Sequence, residues 1–501
     1  MRLLEVIANA GRLARGSPDT PIARVTYDSR RVGPGDLFCA LPGLREDGAR
    51  FVPDAVARGA AAVLAERELP GDFPLVVASD ARRAMALTAA QIFRLPASKL
   101  VMLGVTGTNG KTTTAYLAEA MARAAGRRTG LIGTVETQVN GVSRPAAYTT
   151  PESVDLQALL AEMVESGCEI VPMEASSHAL AQSRVVGIRY RAAAFTQLTR
   201  DHLDFHGTME AYFDAKARLF HEHLADEGTA IIGRDDEWSD RLAQSLRETN
   251  RTVWRFAIDA PSDLRATNVQ LSLSGFSATF ETPAGTREVT SPLVGAHNVK
   301  NALAATGLAL AAGLPLGAVV EALSRSRGAP GRLEPVDDPH GRHVFVDYAH
   351  TDDALARVLD ALEALKPASS RIVCVFGCGG DRDQGKRPLM GQAVAERAHA
   401  AVVTNDNPRT EDPAAIVSQI VPGIEGQGVV GRSVEDLASG ERGYVVIPDR
   451  AAAIAAAVRI ARSADVVLIA GKGHEDYQIV GSEKRHFDDR EAARQALGTS
   501  A

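Results

Sequence analysis

The chain has 501 residues, 45% of them hydrophobic and 23% charged, and carries a net charge of −7. That length exceeds what one hydrophobic core serves, so several domains are expected, and the acidic balance argues against a nucleic-acid partner. Four scattered cysteines, Cys39, Cys168, Cys374 and Cys378, make neither a disulfide framework nor a zinc site and are expected to pack among apolar residues.

From the N-terminus, residues 1–16 read as a small amphipathic helix, because Glu5 interrupts what would be the apolar core of a signal peptide. No apolar run reaches transmembrane length, so a cytoplasmic protein without a membrane span is expected. Residues 1–95 hold the short apolar runs 37–41, 61–65 and 75–78 between turns, which suits a small α/β domain. Over 96–330, the strand-like runs 101–105, 170–174, 192–196 and 230–232 alternate with alanine-rich helical stretches. Such alternation predicts a mostly parallel sheet covered on both faces. Residues 251–294 look different, with an alternating strand over 271–280 that suggests an antiparallel extension. Gly328-Ala329-Pro330-Gly331 marks a boundary. Beyond it, runs at 343–347, 372–377, 401–404, 443–447 and 466–470 each precede a helix-compatible stretch, so 331–501 reads as a second doubly wound α/β domain.

The chemistry-bearing motifs sit at the ends of these runs. Residues 104–114, GVTGTNGKTTT, link a buried strand to a helix start. Glycines there let backbone N–H groups close on phosphate oxygens, and the helix N-terminus adds partial positive charge. Lys111 supplies a point charge to the outer phosphates and Thr112 a hydroxyl for Mg²⁺, although Val105 stands where the usual phosphate loop has its first glycine. Glu174 closes the run 170–174, where ligands of open α/β sheets gather, and suits Mg²⁺. Asp201, His202, Asp204 and His206 form a second candidate metal cluster.

On the helical stretch 209–220, Lys216 shares a face with Tyr212, Leu219 and Phe220. Either it is an ion-paired or snorkelling lysine, or burial lowers its amine pKa enough for reaction with CO₂. The resulting carbamate is an anionic Mg²⁺ ligand that shares the ion with His202. Asn298 opens a helix with an amide that can read an adenine edge; Arg332 lies at the boundary within reach of phosphates, and Asp347 ends a strand within reach of a ribose. In the last domain three loops, 377–383, 406–409 and 471–476, follow strand-like runs, and their arginines and acids suit a small zwitterion such as an amino acid.

These motifs, in this order, resemble the Mur ligase family of ATP-dependent amide-bond-forming enzymes, and within it the diaminopimelate-adding branch. The likeness runs from Thr26-Tyr27-Asp28-Ser29-Arg30 to Phe487-Asp488-Asp489-Arg490. It implies three α/β domains: a UDP-substrate domain (1–95), a central phosphate-loop ATPase domain (96–330) and a C-terminal Rossmann-like domain (331–501) that binds the amino acid. By the resemblance, Ser29 and the loop of Leu44, Arg45 and Glu46 contact the nucleotide-sugar substrate. Thr149, Thr150, Ser176, Gln182 and Arg184 hold its muramoyl-dipeptide part. Thr108, Asn109, Gly110, Lys111, Thr112, Thr113 and Thr114 bind ATP, with Asn298, Arg332 and Asp347 assisting. Thr112, Glu174, His202 and a carbamylated Lys216 hold Mg²⁺. Arg382, Asp406, Asn407, Pro408, Arg409, Gly471 and Glu475 bind the incoming amino acid.

The implied reaction adds meso-diaminopimelate to the D-glutamate γ-carboxylate of UDP-N-acetylmuramoyl-L-alanyl-D-glutamate through an acyl phosphate, in peptidoglycan precursor synthesis. A monomer acting on small molecules is expected, with a water, His202 or His206 taking the amine proton. L-lysine is the competing amino acid, folylpolyglutamate synthase the rival enzyme and an ATP-driven switch the rival class. Gln197, Asp352, Leu44 and Arg45 depart from the family's usual residues.

Overall fold

The computed structural model describes residues 1–43 and 46–499; the substrate-loop expectations at Leu44 and Arg45 lie outside them. The chain divides into two compact units: Met1–Thr267 with Thr279–Glu288 and Lys300–Leu323, and Asn268–Ala278 with Val289–Val299 and Ser324–Ala501. The architecture is α/β throughout, with three main sheets, mostly parallel, covered by helices.

In the first unit, a five-stranded sheet runs in the order Arg12–Arg15, Leu75–Val77, Ala62–Ala65, Asp36–Cys39, Arg24–Thr26, parallel except for the first pair. The expected N-terminal amphipathic helix is only Leu3–Val6, which buries Leu3 and Val6. Asn9, at φ +65°, turns the chain out of helical geometry, and residues 12–15 continue as a strand instead.

The second sheet places Val101–Thr106 between Ile170–Glu174 and Tyr190–Phe195, parallel to both. Its register pairs Glu174 with Val105 and Phe195 with Thr106, so three strand ends stop together at one edge. Leu224–Gly233 and Thr252–Ile258 continue the parallel run outward. The three central strands are buried over nearly all their length, as sheets covered on both faces require. The predicted strand over 271–280 is two strands, Leu264–Ser272 and Gly275–Thr282. The Ser274 amide caps onto the Ser272 hydroxyl at 3.2 Å, and Gly275 takes φ +128° at the turn. The first strand of this extension, Leu264–Ser272, joins the sheet parallel to Thr252–Ile258.

In the second unit, Glu334–Val336, His343–Asp347, Val466–Ala470, Ile372–Phe376, Ala400–Val403 and Gly443–Val446 form a six-stranded sheet, antiparallel only at its first pair. All four cysteines are free and buried, as their apolar surroundings suggested. Among the described residues, no helix is long and apolar enough to cross a membrane.

Candidate active site

The glycine-rich loop leaves the strand Val101–Thr106 and enters the helix Lys111–Ala124. Two glycines are required by shape. Gly107 (φ +144°) leaves no room for a Cβ beside the Thr196 hydroxyl, and Gly110 (φ +85°) leaves none beside the Asn301 amide. Gly110 caps the helix without any side-chain acceptor, so the amides of the first turn keep their capacity for an anion. Lys111 Nζ lies over the loop, donating to Gly107 O at 3.0 Å and Thr108 O at 2.9 Å.

Glu174 is fully buried, and both its oxygens are held. Oε1 accepts the Thr134 amide at 2.7 Å, while Oε2 accepts the Thr112 and Thr134 hydroxyls, each at 3.1 Å. Thr150 Oγ1 donates to Glu174 O at 2.7 Å and accepts the Ser176 amide at 3.1 Å; Thr149 Oγ1 is 3.1 Å from Thr134 Oγ1. Arg184 donates to Thr150 O (3.0 Å) and to Gln182 Oε1 (2.6 Å), and pairs with Glu152 at 2.8 Å. Thr149, Thr150, Ser176, Gln182 and Arg184 therefore form one bonded network around the end of the Glu174 strand.

Lys216 lies on the helix Met209–His221, its side chain buried with Tyr212, Leu219 and Phe220. Its Nζ donates to Gly107 O at 2.8 Å and lies 4.5 Å from the Tyr212 ring centroid. Among the described residues no ion pair holds it, and the Asp201 charge is the least of the influences on it, which argues against the ion-paired reading. Burial, then the nearby Lys111 charge, push its pKa well below the ordinary lysine value. The phosphate-loop lysine and this one thus share a single carbonyl, and an anion on Lys216 would relieve that crowding.

His202 stands at φ +52° before the turn Leu203–His206, its ring 4.8 Å from His178 and 6.0 Å from Tyr212. Burial and His178 push the His206 pKa down to about 4, and its Nε2 has no hydrogen-bond partner. Asp201, His202, Asp204 and His206 do not converge: among the described residues no three or more His, Cys, Asp or Glu group as a metal site. The buried Glu174 carboxylate with the Thr112 hydroxyl on it at 3.1 Å is an oxygen pair that would suit a divalent cation. Ser29 opens the short helix Ser29–Arg31, and Glu46 pairs with Arg50 at 3.2 Å.

In the other unit, Asn298 is buried and donates to Val294 O at 2.9 Å. Arg332 stacks on Tyr348 at 4.7 Å with its Nε buried and without a hydrogen-bond partner. Asp347 accepts the Leu333 and Ala349 amides (2.6 and 2.8 Å), and burial pushes its pKa up. Arg409 takes φ +51°, bonds through its backbone to Ile479 and Gly481, and aims its guanidinium at Gly380 O (2.6 Å). Arg382 is exposed on the loop above Gly379. Asp406, Asn407 and Glu475 gather beside Gly471, with Asn407 Nδ2 donating to Glu475 at 2.9 Å, and Pro408 leads from them to Arg409.

Thr134 and Asn301, which pack the central edge, carried little sequence signal. Thr134 follows a glycine after a three-residue strand, and Asn301 packs against Gly110 from far along the chain.

Three family descriptions match the chain: "Mur ligase family, catalytic domain" over 21–96, "Mur ligase middle domain" over 105–309, and "Mur ligase, glutamate ligase domain" over 331–473. A UDP-N-acetylmuramoyl-L-alanyl-D-glutamate--2,6-diaminopimelate ligase of Gloeobacter violaceus is 46% identical, covering 99% of this chain and 98% of its own. A solved structure of a ligase with that same name superposes with a TM-score of 0.73 at 34% identity, covering 99% of each chain. Mycobacterium tuberculosis folylpolyglutamate synthase, crystallised with ADP and AMPPCP, shares the fold at a TM-score of 0.61 and 18% identity, over 82% of this chain and 94% of its own.

Proposed function

The chain belongs to the Mur ligase family, and from that premise we infer that it is the ATP-dependent ligase that adds meso-diaminopimelate to UDP-N-acetylmuramoyl-L-alanyl-D-glutamate. The observation that carries this reading is end-to-end similarity to ligases of that name, at 46% identity over 99% of the chain. A folylpolyglutamate synthase shares only the fold.

A carboxylate is a poor acyl donor because hydroxide leaves badly; ATP supplies the phosphoryl group that turns the glutamate γ-carboxylate into an acyl phosphate. The residues at the central edge do the positioning. Thr108–Thr114 cradle the phosphates with backbone amides, and Lys111 neutralises the outer ones. Thr112, Glu174, His202 and a carbamylated Lys216 would hold Mg²⁺, which offsets charge on the transferring group. Thr149, Thr150, Ser176, Gln182 and Arg184 hold the muramoyl-dipeptide, and Ser29 and Glu46 the nucleotide end. By the family resemblance, Asn298, Arg332 and Asp347 are further ATP-binding residues. Arg382, Asp406, Asn407, Pro408, Arg409, Gly471 and Glu475 bind the amino acid, whose free amine displaces phosphate. By this reading residues 1–95, 96–330 and 331–501 serve the UDP-substrate, ATP and the amino acid, and the enzyme works as a cytoplasmic monomer.

Phosphate release is the test. Turnover is expected only with ATP, UDP-muramoyl-dipeptide and meso-diaminopimelate together. ATP hydrolysis independent of the other two would replace the ligase with a nucleotide switch, and equal turnover with L-lysine would replace the amino acid.

A further inference from the structure

Lys472 lies in the turn after the strand Val466–Ala470, and none of its side chain is exposed. The backbone enforces this. Gly471 and Gly473 both take positive φ, the Glu475 amide closes back on Lys472 O at 2.9 Å, and Gly473 packs on Gly331 and Tyr348. A buried ammonium must be paired to be tolerated. Its Nζ stands 3.6 Å from Asp406 Oδ1 and 3.5 Å from Glu475 Oε2, and donates to Asn407 Oδ1 at 3.2 Å. The Tyr477 ring centroid is 5.5 Å away.

Two carboxylates thus share one ammonium, and Asp406 Oδ1 is left without a hydrogen-bond partner. The amide of Asn407 has one satisfied orientation. Oδ1 accepts both Lys472 and the Ile479 amide (3.0 Å), which can only donate, while Nδ2 reaches Glu475. Flipping it would point an NH₂ at an ammonium and an N–H. Without Lys472, one of the two donors that specify this orientation is gone and the two carboxylates lose the ammonium they share.

We propose that Lys472 is a positioning residue of the amino-acid pocket, setting the Asn407 amide and the Glu475 carboxylate that face the incoming substrate. This rests on the pocket assignment made under the proposed function. Loss of a lysine that served the fold alone would lower stability and leave the balance among substrates unchanged.

The test is initial-rate kinetics of the full-length enzyme with all three substrates. Losing a charge-assisted hydrogen bond from a buried pair predicts that Lys472→Met raises the diaminopimelate KM about 10- to 100-fold. The KM values for ATP and the UDP-substrate are expected to stay within about twofold, since they do not use this pair. Lys472→Gln, which returns a donor to Asn407 Oδ1, is expected to fall between wild type and Lys472→Met. An unchanged diaminopimelate KM, or three KM values rising together, overturns the proposal. If Lys472→Met gives no cooperative thermal transition, the same comparison is read from Lys472→Gln; loss of folding in both assigns the lysine to the fold and overturns it too. Wild-type enzyme that shows no amino-acid-dependent phosphate release instead overturns the ligase reading.

Discussion

Glu174→Gln separates charge from structure at the central edge. The Thr134 amide can only donate, so the oxygen of the new amide takes the place of Oε1 at 2.7 Å. Its NH₂ then faces the Thr112 and Thr134 hydroxyls at 3.1 Å, and both can accept. Thr134 Oγ1 retains Thr149 Oγ1, 3.1 Å away, as an outlet for its own proton. Only the Thr112 proton loses its acceptor in this isosteric exchange, so stability is expected to fall by about 1 kcal/mol. What disappears is the negative charge that would hold the cation. Removing one preorganised electrostatic partner typically costs about 10²- to 10³-fold in kcat, or roughly 3–4 kcal/mol of transition-state stabilisation. Phosphate release titrated with Mg²⁺ and thermal unfolding of the same preparation read the two effects separately. Wild-type turnover at unchanged Mg²⁺ would refute the metal role, and a fall in Tm of more than about 5 °C would show the carboxylate to be structural.

Lys216→Ala is expected to lose about 10²-fold or more in turnover, with partial rescue by a short carboxylic acid; labelled bicarbonate should give a carbamate signal in wild type that this variant lacks. Arg409→Ala should raise the diaminopimelate KM by about 10- to 100-fold and leave the ATP KM alone, because a guanidinium pairs with the second carboxylate that L-lysine lacks. His223 is buried, its Nε2 has no hydrogen-bond partner, and burial pulls its pKa to about 4. Since the unfolded histidine titrates near 6.5, the unfolded state binds more protons between about 4 and 6.5, so stability is full above that window and falls as pH drops through it, by about 3 kcal/mol. Urea unfolding across that range should show the slope, and His223→Gln should flatten it.

Much of this molecule was legible because periodicity and loop chemistry agree. The helix Met209–His221 and the strands His343–Asp347 and Val466–Ala470 carry unbroken patterns, and the loops after the strands follow from parallel topology. The failures were local. Leu3–Val6 stops at a turn that apolar spacing does not encode, and the two strands around Ser274 merge in a simple alternation count. In the site, Lys111 and Glu174 were visible as motif residues, whereas Thr134 was not, because its value lies in a hydrogen bond across 40 positions of chain. Asp201, His202, Asp204 and His206 show the reverse: four donors close in sequence do not group by themselves as a metal site among the described residues.

Arg409 carries a further lesson in its backbone. It sits in a left-handed conformation that a non-glycine residue adopts only when its surroundings hold it there, and what holds it is the edge of the hairpin formed by Tyr477–Val480 and Glu483–His486. The residue assigned to choosing the amino acid is therefore aimed by a segment some seventy positions downstream. Evolving or engineering a different amino-acid preference means exchanging loop and hairpin as one inherited piece, since a transplanted arginine loop without its matching hairpin would present the right side chain in the wrong direction.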